Sequence, residues 1–156
     1  MDDGRDARWP GLVGVTASVA GFGVAGYLTY EHYTGSANLV CSDKGIVNCL
    51  AVTTSTYSKV AGVPVALLGL VFFAVMVVLQ LPAMWRRPDP LIRATRMAWA
   101  FVGLGTVVYL LYTELFRIDA ICLWCTAVHV LTFVVFVSTV FATLSTAYEL
   151  DSSRST

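Results

Sequence analysis

The chain has 156 residues, 57% of them hydrophobic and 13% charged, with ten basic side chains balancing ten acidic ones. An apolar share that high and a charged share that low do not belong to an ordinary soluble domain; they describe a small membrane protein. Zero net charge, with no basic block and no nucleic-acid-binding motif, excludes nucleic acid as a partner.

Four apolar segments follow one another, over about residues 11–31, 63–84, 97–116 and 121–147. Each supplies the roughly 20 residues that a helix needs to cross a bilayer, and only helices cross without leaving a strand edge unpaired in lipid. The expected fold class is all-α integral membrane: a four-transmembrane-helix bundle over 11–147, between an N-terminal tail (1–10) and a C-terminal tail (148–156) that reads as disordered.

The first segment follows Arg5 and Arg8 and contains Ser18-Val19-Ala20, which is similar to a signal-peptide cleavage site. The apolar run continues to Tyr30, however, and Asp2, Asp3 and Asp6 dilute the positive start. Ala17, Gly21 and Ala25 recur every fourth position, the spacing that lets a neighbouring helix approach closely, so a packed helix is expected.

A loop over 32–62 comes next, carrying Cys41 and Cys49 on either side of SDKGIVN, a polar, glycine-containing stretch that reads as mobile. Residues 50–61 alternate Leu50, Val52, Tyr57 and Val60 with Thr53, Thr54, Ser55 and Lys59, the composition of a short capping helix lying on the membrane surface. Val63-Pro64 suits the first turn of the second long helix, where proline lacks only an N–H that has no partner anyway.

Orientation follows from the basic residues. Arg5, Arg8, Arg86, Arg87, Arg93, Arg96 and Arg154 fall on one side of the bundle, and Lys44, Lys59 and Arg117 on the other. The positive-inside rule puts both termini and the loop WRRPDPLIRATR in the cytoplasm, and the 32–62 loop and the RIDA turn at 117–120 outside. Tyr30, His32, Tyr33, Trp9, Trp85, Trp99 and Trp124 lie near the expected membrane boundaries, as an interfacial belt would. Glu114 lies near the outer end of the third segment, where Arg117 or Lys59 can pair with it, a structural role, or where it can assist proton delivery.

The fourth segment opens with ICLWCTAVHV. All four cysteines are then on the outer, oxidising side, where disulfides persist. At the start of a helix, unpaired N–H groups and the helix dipole favour a thiolate at Cys122. Three residues on, Cys125 shares its face, and His129 lies one turn deeper, where ionisable residues face the bundle interior. Two pairs, one on a loop and one on a helix, suit a thiol-disulfide relay. Three other readings stay open: two structural staples on a membrane scaffold or partner subunit without redox turnover, a zinc site, and His129 as an interhelical hydrogen-bonder. A C-x-x-C on consecutive helical turns makes a poor staple, and the spacing is unlike paired zinc knuckles, so no metal site is expected.

The loop pair Cys41-x7-Cys49, the following VTTSTYSKVAGVPVALLG and the C-L-W-C opening the last helix together resemble the vitamin K epoxide reductase family, in its bacterial branch, over about 11–147. The DsbB-type oxidases also join four helices to four outward cysteines, but there the C-x-x-C comes first. The resemblance implies a quinone-dependent thiol oxidoreductase of the bacterial cytoplasmic (inner) membrane, with its active site outward. Electrons would pass from a secreted DsbA-like thioredoxin-fold partner to Cys41 and Cys49, then to Cys122 and Cys125, then to ubiquinone or menaquinone. It implies that Cys41 meets the partner, Cys49 exchanges with Cys122, and Cys125 stands beside the quinone. Ser55 matches a serine near the quinone, although it could equally cap its own short helix. His129 occupies the position of a quinone-bonding tyrosine in the vertebrate branch, and Val65 replaces a quinone-bonding asparagine, which favours plain quinone reduction over epoxide reduction. No thioredoxin-like segment follows the fourth helix, so the partner is expected to be a separate chain.

Overall fold

The structure is a computed structural model and describes residues 9–35, 41, 45–87 and 89–154. Four apolar helices form the bundle. Helix α1 spans Trp9–Thr34, α3 Val65–Gln80, α5 Pro90–Thr113 and α6 Leu123–Arg154; α2 (Cys49–Thr53) and α4 (Pro82–Trp85) are short. Three apolar spans, Trp9–Thr34, Pro90–Ile118 and Leu123–Ser145, are long enough to cross a bilayer, while α3 is shorter. At 1.5 Å per residue, α3 measures about 24 Å.

Local chemistry sets these limits and corrects several expected boundaries. The second long helix, expected over 63–84, breaks at Leu81, which Pro82 forces into an extended conformation (φ −56°, ψ 141°). Pro64 lies outside the first turn, at the N-cap position (φ −59°, ψ 133°), and pairs in a hairpin. Helix α5 starts well before residue 97: the Asp89 carboxylate accepts from Leu91 N–H at 2.8 Å and Pro90 takes the first helical position. Arg93 and Arg96 therefore belong to a helix, not to the connecting loop. The tail expected from 148 onward continues α6 as far as Arg154, whereas residues 1–8 of the N-terminal tail lie outside the described residues.

Helix α1 is the packing axis, lying along both α3 and α6. Ala17 and Ala25 are buried, and a Cβ on Gly21 would collide with the Phe73 ring. A Cβ on Gly14 would come within 2.9 Å of the Gln80 amide. The small-residue stripe thus admits side chains of α3 where larger residues would hold the helices apart. Phe73, Met76 and Val135 complete the core. Hydroxyls on the inner faces return to their own helices, as in Ser18 Oγ to Gly14 O (2.7 Å) and Thr132 Oγ1 to Val128 O (2.9 Å). Large apolar side chains such as Phe22, Phe101, Phe133 and Phe141 face outward, the distribution that suits lipid rather than water.

At the end of the bundle away from the cysteines, the interior is filled and polar. Gln80 Nε2 donates to Thr139 Oγ1 at 2.6 Å, tying α3 to α6. Arg96, buried, donates from Nε to Leu79 O at 3.0 Å and lays its guanidinium 3.5 Å over the Trp85 ring. Trp85 is thus a packing partner of Arg96. Trp99, too, points inward, donating from Nε1 to Phe72 O at 3.3 Å across the gap between α5 and α3.

Candidate active site

The segment before α2 is held against the start of α6. Asn48 N–H donates to Ile121 O (3.1 Å) and Ile121 N–H to Ile46 O (2.8 Å), forming a parallel bridge between Val47 and Ile121. The stretch expected to be mobile is thus pinned over Ile46–Asn48; residues 42–44 lie outside the described residues. Asn48 then caps α2, its Oδ1 accepting from Ala51 N–H at 2.9 Å. This clamp sets Cys49, in the first turn of α2, against the turn that precedes α6.

The capping helix expected over 50–61 stops at Thr53. A 3-10 turn follows at Thr56–Ser58, and then strands β1 (Lys59–Val60) and β2 (Val63–Pro64), paired Lys59 to Pro64 and Val60 to Val63. The two residues between them, Ala61 (φ 52°) and Gly62 (φ 84°), are both left-handed, the conformation of a two-residue hairpin turn and incompatible with a continuing helix. Ser55 Oγ donates to Val52 O at 2.8 Å and so closes the end of α2, while the residue also borders the cavity below.

Cys41 and Cys49 form a disulfide, with their Cα atoms 6.0 Å apart; Cys122 and Cys125 are free thiols. Cys49 and Cys122 are both wholly buried and belong to one apolar cluster with Val52 and Ala120, against which Cys41, Trp124 and Cys125 pack. Cys122 precedes α6 and acts as its cap: its carbonyl accepts from Thr126 N–H at 2.8 Å, and its Sγ accepts from Cys125 N–H at 3.2 Å. The Cys122 thiol, just outside the membrane span, is held below its usual pKa. Its hydrogen bond with the Cys125 thiol is the largest cause; the Cys125 and Trp124 N–H groups add to it, against burial and the charge of Glu114. The helix start thus supplies the thiolate-favouring setting expected from the sequence, with the second cysteine contributing most.

Beneath this roof, α3 and α5 diverge around a cavity of about 1260 Å³. Phe72 and Trp99, stacked with centroids 6.3 Å apart, border its deeper part; Gly103 is essential there, because a Cβ would strike the Phe72 ring. Leu68, Val71 and Val102, all exposed, line its flank, so it opens between α3 and α5 on the lipid-facing side. Cys125, His129, Ser55 and Val65 all border it, whereas Cys122, Cys41 and Cys49 do not. His129 is 5% exposed, and its Nδ1 is buried without a hydrogen-bond partner. Among the described residues, no cluster of three or more His, Cys, Asp or Glu side chains could hold a metal.

One residue of this site has a different setting from the expected one. Glu114, buried and bordering the cavity, begins a π-helical turn, Glu114–Ile118, that ends on left-handed Asp119 (φ 54°). Arg117, its expected partner, instead donates from Nε to the Tyr57 hydroxyl at 2.9 Å, joining the turn to the roof. A lone acidic residue inside an apolar segment is the sequence signal for such a place, and of its two readings the pairing with Arg117 is the one that Tyr57 removes.

The family model for the vitamin K epoxide reductase family matches residues 12–140, a stretch that takes in α3 and α5 whole, most of α1, the first half of α6 and all four cysteines. The chain belongs to the vitamin K epoxide reductase family. It is accordingly a multi-pass membrane protein and a thiol-disulfide oxidoreductase. No curated protein matches the chain.

Proposed function

We propose that this protein re-oxidises a secreted DsbA-like thioredoxin-fold partner and passes the electrons to ubiquinone or menaquinone from the outward face of a bacterial inner membrane. The observation that carries this reading is the division within the C-x-x-C: Cys125 borders the lipid-facing cavity, while Cys122 does not and is buried in one cluster with Cys49, whose neighbour Asn48 is bonded to Ile121. One thiol thus meets an apolar ligand and the other meets the loop pair. The opposite assignment would require both side chains to cross the helix start.

Thiol exchange proceeds by a thiolate attacking one sulfur of a disulfide. A partner dithiol reduces Cys41–Cys49; the freed Cys49 thiolate attacks Cys122 of an oxidised C-x-x-C and releases Cys125 as a thiolate. Cys41 then attacks Cys49, restoring the loop disulfide and freeing Cys122. The result is a bridged loop pair above a reduced helix pair, the redox arrangement of the present structure. The lowered pKa of Cys122 makes it a good leaving thiol in this step.

The cavity fits a hydrocarbon-tailed quinone, with apolar walls open toward lipid and, among the described residues, a buried polar atom without a partner, His129 Nδ1, on its wall. When bound, the quinone accepts two electrons and two protons. Cys125 faces it, His129 can hydrogen-bond one of its oxygens, Ser55 borders it from the roof, and Val65 offers shape without a hydrogen bond. The roof over 49–64 keeps water from the thiols. Mixing the protein with a reduced thioredoxin-fold partner and a quinone should yield quinol and oxidised partner in equal amounts. Partner oxidation that continues at the normal rate in Cys41→Ala or Cys49→Ala protein would contradict the relay.

A further inference from the structure

Glu114 has no assigned part in that relay, yet it is a carboxyl enclosed at 4% exposure on the wall of the reaction cavity. Among the described residues no basic side chain reaches it, since Arg117 is turned to Tyr57. What it does face is the C-x-x-C: the backbone N–H of Cys122 is directed at its carboxylate, and both Cys122 and Cys125 feel its charge. Its own backbone is fixed, because Glu114 O accepts from Ala120 N–H at 3.3 Å and from the N–H of Asp119. The widened π turn, a feature that recurs at functional sites, thereby holds one acidic side chain at the junction of thiols and cavity. Among the described residues, the other ionisable groups around it and its cavity are Cys122 just before α6, Cys125 and His129 on α6, His32 on α1, Tyr57 and Lys59 on the roof, and Arg117 on its own turn.

A buried carboxyl without a counter-ion is costly in an apolar setting, and such residues inside membranes mark ion or proton pathways. Formation of the Cys122–Cys125 disulfide releases two electrons and two protons, and a quinone takes up two of each. The electrons pass through Cys125, but thiol protons need a separate carrier between sulfur and the acceptor oxygens. We propose that Glu114 is this carrier, a catalytic acid-base residue for the cavity, resting on the reading of that cavity as a quinone site. The Glu114 carboxyl gives its proton to a quinone oxygen and regains one from a C-x-x-C thiol, and two such passages account for both protons. His129, on the α6 wall of the cavity, holds the acceptor by its free Nδ1.

The test compares wild type with Glu114→Gln and Glu114→Asp in two separate half-reactions. In the first, protein pre-reduced at Cys122 and Cys125 is mixed with a short-tailed ubiquinone analogue and quinol formation is followed in a single turnover. In the second, electron transfer from a reduced thioredoxin-fold protein to the C-x-x-C is followed without quinone. Glu114→Gln keeps an oxygen for the Cys122 N–H but carries no exchangeable acid proton, so quinol formation should fall by about 100-fold, the usual contribution of a general acid. Thiol exchange in the same variant should be no slower than in wild type, because loss of the Glu114 charge favours the Cys122 thiolate, and Glu114→Asp should recover part of the quinol rate. Quinol formation at the wild-type rate in Glu114→Gln overturns the proposal, and so does equal loss of both half-reactions, which would make Glu114 a structural support for Cys122. Failure of wild type itself to form quinol would instead remove the quinone reading on which the proposal rests.

Discussion

The two ends of the bundle solve opposite problems with the same four helices. Away from the cysteines, Gln80 reaches Thr139, Arg96 covers Trp85, and Gly14 lets the Gln80 amide lie flat on α1, so the interior is filled. At the cysteine end α3 and α5 diverge, Phe72 and Trp99 border the gap, and a separate roof closes it from above. The filled end holds the helices in register so that the open end can remain hollow without collapsing. Stability and chemistry are therefore spatially divided, and substitutions at the two ends should separate them.

The largest effect belongs to the hollow end. Cys125→Ser should lower quinol formation by at least about 1000-fold, as expected when the group that makes the covalent step is removed, with the helical signature in circular dichroism unchanged. A smaller loss would mean that Cys125 is not the thiol that meets the acceptor. At the packing axis, Gly21→Val should destabilise the bundle by roughly 1–3 kcal/mol through forced overpacking against Phe73, seen as a lower melting temperature in detergent. A Gly21→Val protein that melts like wild type would dissolve the close approach of α1 to α3.

A more modest effect concerns the pH response of the reduced helix pair. Because the Cys125 thiol is the largest cause of the lowered Cys122 pKa, Cys125→Ala should raise it toward the ordinary thiol range. In wild type the Cys122 thiolate, monitored by its ultraviolet absorbance, persists as pH falls below the usual thiol range and is lost only on passing the depressed value. In Cys125→Ala that loss should occur at higher pH; an unchanged midpoint would assign the lowering to the helix N–H groups instead. The smallest effect is expected from Gln80→Leu at the filled end, a loss of about 0.6–1 kcal/mol with quinol formation unaltered, since Thr139 keeps its bond to Val135 O at 2.7 Å. Altered turnover in that variant would show that the two ends are coupled.

How far the sequence revealed this division depends on the range of the interactions involved. The four helices were legible because each is an uninterrupted apolar run, and the approach of α1 because Ala17, Gly21 and Ala25 repeat at helical spacing. The grouping of Cys125, His129, Ser55 and Val65 around one space was legible through the family pattern. Tertiary contacts concealed the rest. Residues 50–61 have the composition of a surface helix, but left-handed Ala61 and Gly62 turn the chain into a hairpin. Trp85 and Trp99 occupy boundary positions in sequence, yet Arg96 and Phe72 draw them inward. Arg117 stands three residues from Glu114 and pairs with Tyr57, sixty residues away, a choice that no local spacing encodes.

The most direct test of the account is a disulfide map of the purified Cys125→Ser protein under non-reducing conditions. With no second helix thiol to resolve it, the Cys122 thiolate can attack the Cys41–Cys49 disulfide and remain joined to the sulfur it reaches, releasing the other. The burial of Cys49 and Cys122 in one cluster, beside the Asn48–Ile121 hydrogen bond, predicts a Cys49–Cys122 peptide with Cys41 free to alkylate. A Cys41–Cys122 peptide with Cys49 free would contradict the division of labour on which the relay rests.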